Sequence, residues 1–70
     1  SSTGTEKLTA RELEFLEHCC SDMSYKEIAE KMNVMIKTIE YHRAVLFQKL
    51  KVQNRSGLIV RAIQLKLVKV

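Results

Sequence analysis

Residues 24–50, SYKEIAEKMNVMIKTIEYHRAVLFQKL, decide the fold. Ser24 with Glu27 three residues on is a capping box: hydroxyl and carboxylate each take a backbone N–H that a helix start leaves unpaired. Met23 and Ile28 flank it as a hydrophobic staple, and Ile28, Ala29 and Met32 supply one apolar side. A short helix is predicted over Tyr25–Met32, ended by Asn33, a residue that tolerates the left-handed conformation. No room remains for a long loop, so a third helix follows from about Ile36 to Leu50. Taking Ile39 as origin and stepping about 100° per residue, His42, Arg43, Leu46 and Leu50 fall within about 60° of it, an inward stripe. Lys37, Tyr41, Ala44 and Gln48 point the opposite way, with Glu40 and Lys51 beside them. A cation, a ring, a small residue and an amide are types that reach phosphates and base edges.

Working outward, the first helix carries the same signal. Thr9 and Glu12 form a capping box, and Leu8 and Leu13 stand at the staple positions. Leu13, Leu16, Cys19 and Cys20 share a face, which predicts a helix from Ala10 to Cys20. Toward the C-terminus, Asn54 caps a fourth helix expected over Arg55–Leu67, with Gly57 tolerated in its first turn. That helix is apolar on two sides: Leu58, Ala62 and Leu65 on one, Ile59, Ile63 and Leu67 with Val60 on the other. So small a domain covers one side with its own core; the second side, Ile59, Val60, Ile63 and Leu67, is assigned to a dimer contact or a neighbouring domain. Residues 1–7 are small and polar and read as a linker or an expression remnant, leaving 8–70 as the domain. The expected fold class is all-α: a four-helix bundle containing a helix-turn-helix.

Charge divides the chain. Residues 1–36 hold four Lys/Arg against seven carboxylates; residues 37–70 hold eight against Glu40 alone. The basic half begins where the third helix begins. A plain helical bundle explains the caps and stripes but not this coincidence; a surface facing a polyanion explains both. A helix-turn-helix lays its second helix in the major groove of double-stranded DNA. No apolar run approaches the ~18 residues of a membrane span. The two cysteines, Cys19 and Cys20, are adjacent and poorly placed to bridge, which fits a reducing, cytoplasmic setting. His18 beside them lacks zinc-site spacing, so no metal or cofactor is expected. No nucleophile–base set, carboxylate pair or glycine-rich loop points to an enzyme.

Four segments, in order and spacing, resemble the LuxR/NarL family of transcriptional regulators. Leu8-Thr9-Ala10-Arg11-Glu12 is similar to its opening L-T-x-R-E, and Ser24-Tyr25-Lys26-Glu27-Ile28-Ala29 to its K-E-I-A segment. Thr38-Ile39-Glu40-Tyr41-His42-Arg43 resembles T-V-x-x-H-R, and Lys49-Leu50-x-Val52-x-Asn54-Arg55 resembles K-L-x-V-x-x-R. The resemblance implies the C-terminal effector module of a bacterial two-component response regulator, preceded by a receiver or sensor domain. It implies dimeric binding to paired half-sites, with RNA polymerase as a further candidate partner. It implies base contacts from Glu40, Tyr41 and Ala44, and phosphate contacts from Lys37, Thr38, Lys49, Lys51 and Arg55. Two departures stand out. Met35 replaces the usual serine at the start of the third helix, removing a cap hydroxyl. Glu40 stands where lysine is common; a carboxylate repels phosphate but accepts from cytosine N4.

Blander readings compete. Lys37 could be a solvated helix-start lysine, Tyr41 a surface ring, and Arg55 a first-turn arginine paired with Glu12. His42, on the inward stripe, reads as a core-edge residue more than a pH switch. Two alternative functions remain: region four of a sigma factor, which resembles residues 24–50, and a helical protein-interaction module that does not bind DNA.

Overall fold

Capping chemistry sets where the first two helices begin. In the computed structural model, which describes residues 8–68, the Thr9 N–H donates to Glu12 Oε1 at 2.9 Å and the Glu12 N–H to Thr9 Oγ1 at 3.1 Å. The same reciprocal pair joins Ser24 and Glu27 at 2.8 and 3.2 Å. The elements are α1 Ala10–Cys19, α2 Tyr25–Met32, α3 Ile36–Lys49 and α4 Arg55–Gln64. Asn54 caps α4 through its side chain, accepting from the Gly57 N–H at 2.8 Å. At α3 the N-cap is Met35, which makes no side-chain cap bond. The linker reading of residues 1–7 lies outside the described residues.

Three helices end in one way. Asn33, Lys51 and Lys66 take φ of 59°, 57° and 59°, the left-handed region. The next N–H in each case reaches back into the helix: Val34 to the Ala29 carbonyl, Val52 to Phe47 and Leu67 to Ala62, each at 2.9 Å. This is the Schellman arrangement, which satisfies orphan carbonyls and folds the following apolar residue against the helix it has left. It explains the one large boundary correction. Helix four stops at Gln64 and not at Leu67, because Lys66 turns the chain there. The ends of α1 and α3 fall one residue earlier than expected.

All four helices contribute to the core. Phe15, Leu16, Cys19, Ile28, Ile39, Leu46, Leu58 and Ala62 are fully buried. Phe15 was not on the predicted face, and Leu13, which was, is only half-buried. The inward stripe of α1 is Glu12, Phe15, Leu16 and Cys19, spaced i, i+3, i+4, i+7. A carboxylate at the head of that stripe hid its phase. Burial pushes the Cys19 thiol up to about 12, so it behaves as a small apolar side chain.

Candidate nucleic-acid interface

The turn between α2 and α3 is three residues, Asn33–Met35, and the left-handed Asn33 redirects the chain within it. Ile39 and Leu46 fix α3 to the core, and Leu50 just past its end is buried with them. This rotation leaves Lys37, Glu40, Tyr41, Ala44, Gln48 and Lys51 exposed along the opposite side, with Thr38 half-buried beside them. Tyr41 keeps 66% of its surface open. The three candidate base contacts and the candidate phosphate contacts Lys37, Thr38 and Lys51 therefore occupy one continuous surface.

Aromatic contacts hold the helix at its flank. The His42 ring lies 5.9 Å from Phe15 and 6.1 Å from Tyr41, between the core and the outward face. Its Nδ1 is buried without a hydrogen-bond partner. The Arg43 guanidinium sits over Tyr25 at 5.5 Å and Phe47 at 6.0 Å. Burial, with the neighbouring Cys19 also working against the phenolate, raises the Tyr25 hydroxyl above its ordinary value despite two nearby arginines.

Two of the candidate phosphate cations have internal partners. Lys49 Nζ donates to Glu12 Oε1 at 2.8 Å, with only 19% of the lysine side chain and 9% of the glutamate side chain exposed. Burial works against the Glu12 carboxylate, but Lys49 and the Thr9 N–H prevail and leave it below its usual value. Arg55 donates from Nε to the Cys19 carbonyl and from Nη2 to the Ser21 carbonyl, both at 3.1 Å, and stands over Tyr25 at 5.1 Å. Glu12 thus pairs with Lys49, and Arg55 ties the start of α4 to the end of α1. Sequence spacing gave no sign of either, since each bond joins residues more than thirty apart.

On α4, Leu58 and Ala62 face inward. Val60 and Ile63 are 53% and 41% exposed, and Ile59 is half-buried. Leu67, expected on the same face, lies past the end of α4, where the Schellman turn packs it partly against the chain's own core. Leu65, placed on the inward side by sequence, is 38% exposed. Among the described residues no group of His, Cys, Asp and Glu could hold a metal ion, and no helix is long and apolar enough to cross a membrane.

Comparison with known proteins identifies the family. The profile of the family described as bacterial regulatory proteins, luxR family, matches residues 6–62. The chain is 39% identical over 61 residues to the oxygen regulatory protein NreC of Staphylococcus carnosus, covering 87% of this chain and 28% of NreC. It is 36% identical over 63 residues to the response regulator protein VraR of Staphylococcus aureus, covering 90% of this chain and 30% of VraR. A VqmA–ligand–DNA complex from Vibrio cholerae superposes with a TM-score of 0.84 at 36% identity, covering all of this chain and 31% of VqmA. The chain spans less than a third of the length of these relatives. The family match sets aside the sigma-factor reading. This chain belongs to the luxR family of bacterial regulatory proteins, as one of its helix-turn-helix DNA-binding domains.

Proposed function

We propose that this domain is the C-terminal effector module of a bacterial two-component response regulator, and that it binds operator DNA as a dimer with α3 in the major groove. The observation that carries the reading is the outward side of α3: Lys37, Glu40, Tyr41, Ala44 and Gln48, residues of base- and phosphate-contacting types, lie exposed on a helix whose other side is locked into the core, with Lys51 exposed just past its end. Glu40, Tyr41 and Ala44 meet base edges, Glu40 by accepting from cytosine N4. Lys37, Thr38 and Lys51 meet phosphates and set the register. Lys49 and Arg55, engaged within the fold, hold α3 and α4 in place beneath that surface. Similarity to NreC and VraR supports the response-regulator assignment. The exposed Val60 and Ile63, with Ile59, form the dimer contact on α4.

Gel shifts on mixed-sequence duplex DNA across salt concentrations test the binding mode. Affinity that falls steeply with salt is expected, because each neutralised phosphate releases counterions. Absence of salt-sensitive binding would instead favour a protein-interaction module. The coding sequence around residue 1 tests the rest: a receiver domain upstream is expected, and a ligand-sensing domain in its place would contradict the assignment.

A further inference from the structure

Past the C-terminal end of α3 the surface forms an open cleft of about 490 Å³. Its lining is part apolar, from Ala44 and Phe47 of the helix and Val52 of the following turn, and part polar, from Gln48, Lys51 and Gln53. The helix ending creates the shape. Lys51 adopts the left-handed conformation, and the bond from the Val52 N–H to the Phe47 carbonyl folds Val52 back beside Phe47. Ala44 ends in a methyl group, so the cleft keeps space that a longer residue one turn before Gln48 would take up. Ala44 and Gln48 also belong to the outward side of α3, and the cleft is continuous with it.

We propose that this cleft seats one sugar–phosphate unit of the DNA backbone, gripped by Gln48 and Gln53 as well as Lys51; the proposal rests on the DNA-reading role of α3 given above. The chemistries match part by part. A deoxyribose ring presents C–H surface to Phe47 and Val52. Phosphate oxygens accept from Lys51 Nζ and from the side-chain N–H groups of both glutamines. Location agrees as well. Recognition helices meet base edges with their N-terminal residues, so the last turn of α3 and the loop beyond it lie where a backbone strand passes. Gln48 and Gln53 are neutral and displace no counterion. They add affinity and fix register without adding salt dependence, whereas Lys51 adds both affinity and salt dependence.

Salt-titrated binding of this chain and its variants to duplex DNA reads that difference. Gln48→Ala and Gln53→Ala should each weaken binding roughly three- to tenfold at every salt concentration with the slope unchanged. Lys51→Ala should flatten the slope by ~1. Both glutamines are exposed, so thermal melts of their variants should match the parent. Ethylation interference should show one phosphate whose modification weakens the parent but not the Gln48→Ala/Gln53→Ala double variant. Full affinity in both glutamine variants, with salt-sensitive binding by the parent, would overturn the cleft. A changed base preference in Gln48→Ala would overturn it too, by making Gln48 a base reader. Loss of salt-sensitive binding by the parent itself is a separate failure, that of the DNA-reading role.

Discussion

Glu12 serves three structural needs with one carboxylate. It closes the Thr9 capping box, heads the inward stripe of α1 and pairs with Lys49 at the far end of α3. The first role was legible in the sequence because capping is local. The pair with Lys49 was not, because only the packed fold brings the two residues together. Removing one partner of a nearly buried pair leaves the other uncompensated. Lys49→Met is therefore expected to cost about 1–3 kcal/mol of stability, read by urea denaturation. If the pair is structural, Lys49→Met should leave the salt slope of DNA binding close to that of the parent. A slope flattened by ~1 would return Lys49 to the phosphate contacts. The same pair gives a pH dependence. The Glu12 carboxyl lies below its ordinary 4.5 in the folded chain, so its contribution is complete above that pH and is lost as pH falls through the folded value. The stability gap between parent and Glu12→Gln should be widest at neutral pH and narrow as pH falls below the ordinary 4.5 and through the lowered folded value. A gap that does not change with pH would contradict the pairing.

Among the elements, starts were easier to read than ends. Thr9, Ser24 and Asn54 announce their helices through side-chain oxygens aimed at nearby N–H groups. Asn33 announces an ending because asparagine tolerates positive φ, but Lys51 and Lys66 adopt the same conformation with no such signal. The turn at Lys66 therefore ends α4 at Gln64, three residues short of the expected Leu67, and packs Leu67 partly against the core. A lysine held left-handed carries a steric cost that glycine avoids. Lys66→Gly should therefore stabilise the chain by about 0.5–1 kcal/mol once the greater flexibility of glycine in the unfolded chain is counted. Thermal or urea denaturation checks this, and a destabilised variant would mean that the lysine side chain makes a contact worth more than the strain. Lys51 bears the same strain beside the outward side of α3, where its charge has a use.

At the scale of the whole molecule, charge and apolar surface divide the labour. The basic half of the chain starts with α3, and the most exposed aliphatic residue of α4, Val60, lies on a different helix from the reading surface. In the proposed dimer, α4 sets the spacing of two α3 helices. Val60→Glu with Ile63→Glu should leave the monomer folded by circular dichroism, yet abolish self-association in sedimentation and footprints over paired half-sites. An unchanged dimer would move the contact elsewhere. The helix-turn-helix and its outward residues could be read from sequence because periodicity alone orients α3. Which cations were available could not, because availability depends on what the fold brings beside them. The central claim is that the outward side of α3 reads sequence, and selection from a randomised duplex pool tests it most directly. The parent and a Glu40→Gln/Tyr41→Ala variant should enrich different motifs, changed at the base pairs within each half-site that α3 faces, including loss of a C·G preference, while both stay salt-sensitive. Enrichment of one and the same motif by both chains would contradict it.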